Sequence, residues 1–549
     1  MKPLVIAVLI AAVFIIVCIV FSVYQDRKLK AYLTESYGKE RPGRENIKYR
    51  LGLIEQLYMT DCGDLPDEDT IDDITWNDLN MDEIYSRIDH ADSYAGEQVL
   101  YSRLRCPFAA DREGFEKKIK LFDSSEQKRL SVRKKLYSLG KNTIDYDLPL
   151  IAGGLSYLRI KATPFCAVLL CVLLGTGITA LILRSTAMFT VFACVYFFNM
   201  LVYICLKQRS GDKIKLLFGI GKALNTANSI TEEVPELENG IKEKLSKLRP
   251  AMRISSFLER KISSEKTDDM SMFTAYILGP FMIDMLLFDR LLNKLTDRYE
   301  ECIAVYRYLG DIDAAIAVGS YRRSLDGYCV PSVCDKDSFS FEGLVHPLID
   351  NAVENDIAFE RNIIITGSNA SGKSTFVKAA AVNLLLGQTI NTCTAKAAVI
   401  PRCGIITSMA VKDDVISGDS YYIREIKYLR RMVELCERGK LLFLAVDEIL
   451  KGTNTRERIA ASKAILDYLD AKRCMLMTAT HDMELAETFD GRFDNIYFSE
   501  NFKADDVEFD YKLHKGISHT SNAIKLLSVI GFPDTIIEHA ESLKNTAPD

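Results

Sequence analysis

Three long apolar runs constrain this chain more than any other feature of its sequence. Residues 4–24, 162–183 and 187–206 each contain 20 to 22 residues and no charged side chain. A helix of about 20 residues crosses the roughly 30 Å hydrocarbon layer of a bilayer. The runs therefore predict three transmembrane helices. Because only Arg-Ser-Thr separates the last two, these two must return as an antiparallel hairpin.

Each run also has an interpretation that needs no membrane span. The first could be a cleaved signal peptide, but it is longer than a usual signal core and no small-x-small cleavage site follows it. The other two could form a buried helical hairpin in a soluble core. Charge-free runs of this length favour the membrane in both cases.

Lys and Arg residues stand at the ends of these runs that we assign to the cytoplasm. They follow the first run, precede the second and follow the third, so all three runs agree on one topology. We predict a multi-pass plasma-membrane protein with its N-terminus outside and with residues 25–161 and 207–549 in the cytoplasm, where ATP is present. The flanking residues are Arg27, Lys28, Lys30, Arg159, Lys161, Lys207 and Arg209.

The charge and the cysteine content limit which partners and which metal sites we expect. The net charge of -6 argues against a chain that coats nucleic acid indiscriminately. Five of the fourteen cysteines lie in the apolar runs and the others are scattered through predicted cytoplasmic sequence, so we expect reduced thiols. Because the sequence has no Cys-x-x-Cys pair or Cys/His cluster, we expect no structural zinc site.

The sequence divides into six predicted segments. An N-terminal anchor is followed by a linker with an acidic stretch, a helical part, the apolar hairpin and a second helical part. The last segment alternates short β-rich runs with helices, which predicts an α/β domain around a largely parallel sheet. The segments comprise residues 1–24, 25–82, 83–161, 162–206, 207–337 and 338–549.

Charged stretches before the hairpin are interpreted as solvated surfaces. Residues 61–92 contain twelve acidic residues and Arg87 as the one basic residue, which makes a poor surface for phosphates. The basic stretches 117–122 and 127–136 sit on predicted helices, where a solvated face is favoured over a DNA track.

Residues 367–374 match the phosphate-binding pattern G-x-x-x-x-G-K-[ST], between the apolar strand NIIIT and a predicted helix. Its glycines let backbone N–H groups surround phosphates at a helix N-terminus. We expect Lys373 to neutralise the β and γ phosphates of ATP and Ser374 to bind Mg²⁺. The predicted nucleotide-binding residues are Gly367, Ser368, Asn369, Ala370, Ser371, Gly372, Lys373, Ser374 and Thr375.

Two later strands end in residues suited to hydrolysis. LLFLAV ends at Asp447 and Glu448, and CMLMTAT ends at His481. A carboxylate at such a strand end can hold Mg²⁺, and the next one can activate the attacking water. We therefore predict Asp447 as a metal-side residue, Glu448 as the general base and His481 as a sensor of the γ-phosphate.

The phosphate loop, Ser-Gly-Asp-Ser at residues 417–420, the Asp-Glu pair and the strand-end His follow one another in the order of ABC-type ATPases. The sequences of the individual motifs resemble the MutS family of DNA mismatch-repair ATPases. The resemblance rests on TGSNASGKST, VDEILKGTNTRE, TATHDMELAE, HPLIDNAVENDI and the C-terminal GISHTSNAIKLLSVIGFPDTIIEHA. IDHADSYAGEQVLYSRLRCPF is similar to the start of the family's core and lever region. The resemblance implies an ABC-type P-loop ATPase domain, core and lever helices before it, and a helical tail that makes a homodimer.

The resemblance also implies roles for particular residues. Asn355 would border the adenine, and His481 would be the switch residue. Ser417 and Ser420 would belong to the segment that closes over the nucleotide of the other subunit.

The chain departs from the family pattern in several places. Lys451 stands where the family has Arg, and the hairpin stands where the lever helices would run to the DNA clamp. No mismatch-reading domain is recognisable before the helical parts. Phe257-Leu-Glu259 matches the family's wedge triplet, but so short a pattern recurs by chance, and we do not interpret it as a wedge.

Together these features predict a membrane-anchored, dimeric, Mg²⁺-dependent ATPase that couples ATP hydrolysis to movement of its lever helices in DNA repair or a DNA-associated process. Binding of mismatched DNA follows from the resemblance alone. The alternative is an ATP-driven membrane scaffold that acts on protein partners without DNA. An ABC-type exporter is a third possibility, although the predicted spans look like anchors because they contain no charged residue.

Overall fold

The chain folds as two compact units whose segments alternate along the sequence. The first unit comprises Met1–Gly63, Asp89–Ser102 and Lys117–Tyr321, and the second comprises Asp64–Ile88, Arg103–Glu116 and Arg322–Asp549. The computed structural model describes residues 2–40, 50–62, 65–109, 111–149, 155–238, 240–263, 277–368, 371–409, 421–451, 453–503, 506–517, 524 and 531–546.

The described residues before position 325 are largely helical, as their apolar spacing predicts. Its helices are α1 (Lys2–Glu35), α2 (Leu51–Ile54), α3 (Gln56–Cys62), α4 (Asp73–Asp78), α5 (Met81–Ile88), α6 (Tyr94–Arg105), α7 (Arg112–Ser124), α8 (Glu126–Leu139), α9 (Thr163–Leu183), α10 (Thr186–Glu233), α11 (Ile241–Ser263), α12 (Ile283–Thr296) and α13 (Tyr299–Ser324). A single 3₁₀ turn, Gly279–Phe281, precedes α12.

Helices α9 and α10 form the predicted hairpin. Arg184 ends α9 in the left-handed conformation, with φ of 46°, which reverses the chain before α10 begins. Among the described residues these two helices are long and apolar enough to cross a membrane. Helix α10 continues for 48 residues, so it extends well beyond its apolar half. A third span within α1 stays a prediction.

The predicted strands of the C-terminal region assemble into one six-stranded sheet. Its order is β10-β9-β4-β8-β7-β6, and the strands from β9 to β6 run parallel, whereas β10 is antiparallel to β9. The largely parallel sheet is thus confirmed. The strands are β4 (Ile363–Thr366), β6 (Gly404–Ser408), β7 (Leu442–Asp447), β8 (Cys474–Ala479), β9 (Asp494–Lys503) and β10 (Asp506–Lys515).

A second, four-stranded sheet in the same unit is mixed, with the order β1-β5-β2-β3. Its strands β2 and β3 alternate buried and solvent-facing residues, a pattern that suits antiparallel pairing and differs from the continuous apolar run of a central parallel strand. The strands of this sheet are β1 (Ser332–Val333), β2 (Phe339–Leu344), β3 (Asn355–Phe359) and β5 (Ala397–Ile400).

Helices of the C-terminal region pack on or follow the sheets. Helix α16 begins at Asn454, whose side chain accepts a hydrogen bond from the backbone N–H of Glu457 and so caps the first turn. The helices are α14 (Lys373–Thr389), α15 (Tyr421–Cys436), α16 (Thr455–Asp470), α17 (Met483–Thr488) and α18 (Asp534–Thr546).

The acidic stretch is not the solvated face that its composition suggests. Asp64–Ile88 belongs to the second unit, and within it Glu68 and Asp78 are buried. Basic residues about 360 positions later in the sequence neutralise it, and a pattern of local charge cannot reveal such partners. The ion pairs are Asp67–Arg438, Glu68–Arg438, Asp69–Lys440 and Asp72–Arg431.

The basic helices of the first unit are also paired with acidic residues of the same unit. Arg133 is buried and binds the Asp92 carboxylate, with Nε 2.7 Å from Oδ2. These contacts neutralise part of the basic surface that could face DNA. The further pairs are Lys118–Asp311, Lys128–Glu236, Lys134–Asp26 and Lys135–Glu233.

Twelve of the fourteen cysteines are free thiols, as predicted. The expectation of reduced thiols is wrong for Cys62 and Cys106, which are disulfide-bonded. The cysteine spacing could not show this, because distance in the folded chain and not along the sequence decides which thiols can bond.

Candidate functional site

The predicted phosphate loop joins the centre of the six-stranded sheet to helix α14. Strand β4 is fully buried between β8 and β9, and the loop follows it directly. Gly367 and Gly372 have φ of 135° and 100°, values that favour glycine. A Cβ at Gly367 would lie 2.9 Å from the carbonyl oxygen of Phe498, so the loop packs too closely on β9 for a side chain there.

Lys373 lies inside this loop. Its side chain is buried, and Nζ donates hydrogen bonds to the carbonyl oxygens of Gly367 and Ser368, both at 2.6 Å. The Ser371 hydroxyl donates to the Ser368 carbonyl at 2.8 Å. Within the described part of the chain the buried Ser368 hydroxyl has no hydrogen-bond partner. A buried cation and an unsatisfied hydroxyl in a glycine-bounded loop fit a phosphate chain. Asn369 and Ala370 lie outside the described residues.

Asp447 and Ser374 meet beside the loop. Asp447 ends β7, and Ser374 lies in the first turn of α14, where its hydroxyl is near enough to the Asp447 carboxylate to favour the charged form by hydrogen bonding. Burial raises the pKa of Asp447, and this hydrogen bond opposes the rise. Two protein oxygens of this kind fit Mg²⁺, which keeps most of its ligands as waters and substrate phosphates.

Glu448 is held in a strained and largely buried position. Its φ is 59°, in the left-handed region that non-glycine residues rarely adopt, and its N–H donates to the Ala479 carbonyl at 2.9 Å. The carboxylate lies 3.2 Å from His481 Nδ1 and 2.6 Å from Lys451 Nζ. Burial alone would raise the pKa of Glu448, but His481 and Lys451 lower it to about 2. Glu448 is therefore an ionised carboxylate at neutral pH.

His481 follows β8 and faces Glu448. The hydrogen bond to Glu448 raises the pKa of His481, and partial burial opposes the rise. The next residue, Asp482, binds the Arg458 guanidinium through both carboxylate oxygens, at 3.0 and 2.8 Å. This bidentate pair joins the end of β8 to helix α16 and so restrains the backbone that carries His481.

Two side chains at this site were missed by sequence reasoning. Lys451 was noted only as a departure from the family pattern, yet it pairs with Glu448. Tyr511 lies on β10 with 45% of its side chain exposed, and a Cβ at Gly372 would be 3.2 Å from its ring. An exposed aromatic ring next to the phosphate loop can stack on a nucleotide base. The irregular register between Phe509 and Leu513 places Tyr511 there, and no sequence signal indicates it.

Asn355 holds this aromatic residue in place. Its Nδ2 donates to the Tyr511 carbonyl at 2.9 Å, and its Oδ1 accepts from the Leu513 N–H at 2.8 Å. The amide thus bonds the backbone on both sides of Lys512, within the irregular part of β10. Contact between Asn355 and adenine stays a prediction, and the hydrogen bonds show that Asn355 positions Tyr511.

The remaining predicted residues are less informative. Thr375 lies in the first turn of α14 and is exposed. Ser417 and Ser420 lie outside the described residues, between β6 and α15. Glu425 in α15 is buried, and its Oε1 accepts a hydrogen bond from the Lys451 N–H at 2.9 Å. Helix α15 is thus bonded to the loop that carries Glu448 and Lys451.

Comparison with known proteins identifies this region. Residues 363–547 match the family model for MutS domain V. Residues 363–547 are thus similar to domain V of MutS proteins. The MutS resemblance read from the sequence motifs is thereby confirmed.

Similar MutS proteins include the DNA mismatch repair protein MutS of Natronomonas pharaonis, which is 30% identical over 45% of this chain and 29% of that protein. MutS of Thermotoga maritima is 29% identical over 46% of this chain and 33% of its own length. The DNA mismatch repair protein MSH3 of Phaeosphaeria nodorum is 26% identical over 46% of this chain and 24% of its own length. The chain therefore spans a quarter to a third of the length of the MutS relatives that it matches.

Proposed function

We propose that the second unit is an ABC-type P-loop ATPase that hydrolyses ATP with Mg²⁺. The observation that carries this proposal is the ionised, strained Glu448 at the end of β7, next to Asp447 and held by His481 and Lys451. A carboxylate in this position can orient a water molecule and accept its proton.

The other residues supply binding and charge. Lys373 exchanges its loop carbonyl partners for the β and γ phosphates, and Tyr511 stacks on the base. Ser374 and Asp447 would hold Mg²⁺, which neutralises charge on the phosphates when it is bound. His481 stays hydrogen-bonded to Glu448 or turns to the γ-phosphate, and this choice makes it the switch of the site.

We further propose that the chain works as a homodimer anchored in the plasma membrane, with the ATPase unit in the cytoplasm. The hairpin α9–α10 supports the anchor, and the MutS relationship supports the dimer, in which Ser417 and Ser420 complete the partner's site. Transport is the weaker candidate, because the apolar halves of α9 and α10 carry no charged residue to line a path.

The dimer is proposed to act in DNA repair or another DNA-associated process, since its relatives are DNA mismatch repair proteins. A second candidate is a scaffold that moves protein partners and binds no DNA. The paired basic helices of the first unit favour this second candidate, because Lys118, Lys128 and Lys135 already have acidic partners.

The test measures phosphate release by the detergent-solubilised full chain, alone and with homoduplex, mismatched or branched DNA at low salt. Glu448→Gln is expected to lose about 10²–10⁴-fold in turnover while still binding ATP. Glu484→Gln is the matched control, because Glu484 is a carboxylate three residues from His481 that pairs with Lys463 at the surface.

Normal hydrolysis by Glu448→Gln would show that another group is the base. Stimulation by any DNA supports the DNA-associated role. If DNA neither stimulates hydrolysis nor binds, the protein scaffold remains as the function.

A further inference from the structure

A short 3₁₀ segment packs against the hairpin. The 3₁₀ turn Gly279–Phe281 lies on α10, and a Cβ at Gly279 would be 2.7 Å from the Tyr203 ring. Gly279 and Pro280 are both buried. The backbone at Gly279 therefore lies closer to Tyr203 of α10 than any residue with a side chain would permit.

Polar contacts fix the segment at one level of α10. Asn199 is fully buried, and its Nδ2 donates to the Leu169 carbonyl at 3.2 Å and to the Pro280 carbonyl at 3.1 Å. The Tyr203 hydroxyl donates to Asp284 Oδ2 at 2.7 Å. The side-chain amide of Asn199 on α10 thus bonds both helix α9 and the 3₁₀ turn.

The position of Asn199 gives the depth of the turn. Asn199 is 13 residues after Thr186, where α10 begins, which at 1.5 Å per residue is about 20 Å from the outer end of the hairpin. The hydrocarbon layer is roughly 30 Å thick. Pro280 therefore lies about 10 Å inside the cytoplasmic boundary of that layer.

The sequence and the next helix agree with this depth. Residues 277–283 contain no charged side chain. Ile277 and Ile283 are 44% and 37% exposed. At the other end of α12, Asn293 Oδ1 accepts a hydrogen bond from Arg159, a residue that flanks the cytoplasmic end of the second apolar run.

We propose that residues 277–283 form a re-entrant element in the cytoplasmic leaflet, with Ile277 and Ile283 in contact with lipid acyl chains. Non-helical backbone is tolerated at this depth only where protein satisfies it. Asn199 satisfies the Pro280 carbonyl, Met282 N–H bonds the Gly279 carbonyl at 2.8 Å, and Pro280 has no N–H to satisfy. The inference rests on the proposed insertion of the hairpin in the membrane.

The experiment uses bromine quenching of a single tryptophan in the full-length chain, reconstituted in phosphatidylcholine vesicles with or without bromine on the acyl chains. Trp76 is the one tryptophan of the chain, so Trp76→Phe removes the background. Ile277→Trp tests the segment, and Leu201→Trp, exposed on α10, tests hairpin insertion. Phe257→Trp is the cytoplasmic control. Phe257 lies on α11 near Ser255, and Ser255 packs on Gly221 of α10. Gly221 is about 50 Å along α10 from the outer end of the hairpin.

The expected result is strong quenching of Ile277→Trp, comparable with Leu201→Trp, and none of Phe257→Trp. If Leu201→Trp is quenched and Ile277→Trp is not, the re-entrant element is wrong and the membrane anchor still holds. If neither is quenched, the anchor itself is wrong. Should Trp76→Phe not fold, the same substitutions are made in the natural chain and the Trp76 signal is subtracted.

Discussion

The Asp78 carboxylate accepts a hydrogen bond from the Thr407 hydroxyl at 2.7 Å, across 329 positions of sequence. The same oxygen accepts the Met409 N–H at 2.9 Å. Asp78 is 3% exposed, so an acidic residue from a stretch that looks like a solvated surface supports the end of the edge strand β6. Strand β6 leads toward the segment that carries Ser417 and Ser420.

Asp78→Ala is expected to lower the free energy of unfolding by about 3 kcal/mol, because it leaves two buried donors without an acceptor. The measurement is the shift in the urea midpoint of the full chain. Asp350→Ala is the control, since Asp350 is 84% exposed in its pair with Arg87, and its effect should stay within about 0.5 kcal/mol. Equal shifts in both variants would contradict a supporting role for Asp78.

Lys451→Met is expected to move the acid limb of the kcat/KM profile to higher pH. Lys451 helps to lower the pKa of Glu448 to about 2, and without it that pKa rises toward the usual value. A protonated Glu448 cannot accept a proton, so activity falls at a higher pH than in the natural protein. Lys463→Met removes a lysine that pairs with Glu484 instead and should leave the profile unchanged. Coincident profiles for all three proteins would exclude Lys451 as a determinant of the Glu448 pKa.

Removal of the His481–Glu448 contact has a pH-dependent effect on stability. Since Glu448 raises the pKa of His481, the contact stabilises the fold fully below the ordinary histidine value of about 6.5 and is lost as pH rises through the raised pKa. The difference in Tm between the natural protein and His481→Gln, without nucleotide, should therefore be largest near pH 6 and shrink toward pH 9. A difference that grows with pH would have the opposite sign and refute this linkage.

Tyr511→Ala is expected to raise the KM for ATP about 5- to 150-fold, because a base stacked on an aromatic ring gains about 1–3 kcal/mol. Tyr511→Phe keeps the ring and should retain the natural KM. Tyr468→Ala is the matched control, since Tyr468 is exposed on α16 and bonds Glu437. The stacking role fails if Tyr511→Ala and Tyr468→Ala bind ATP equally well.

The sequence predicted those parts of the fold and the site that residues adjacent in the chain determine. The apolar runs predicted the hairpin, and the runs NIIIT, LLFLAV and CMLMTAT predicted three strands of the six-stranded sheet. Lys373, Ser374 and Gly372 are adjacent in the chain, so a local pattern identifies them. Asp447 and Glu448 were found because a buried strand ends at them.

What the sequence could not predict depends on backbone conformation or on distant partners. Lys451 reaches Glu448 because Glu448 and Leu450 both adopt positive φ. Tyr511 reaches Gly372 through an irregular strand register. The partners of Asp72 and Asp78 stand more than 300 residues later, and no periodicity relates residues so far apart.

The alternation of the two units along the chain imposes an order on biosynthesis. Asp64–Ile88 leaves the ribosome long before Arg322–Asp549, with which it forms one unit. Translation of the intervening residues takes roughly 10 to 50 seconds at the usual elongation rate. During that time the hairpin is synthesised as well, while the acidic stretch still awaits Arg431 and Thr407. A fragment that begins at residue 338 would leave Arg431 and Thr407 without Asp72 and Asp78, so the second unit completes these contacts only as part of a chain that also contains the acidic stretch.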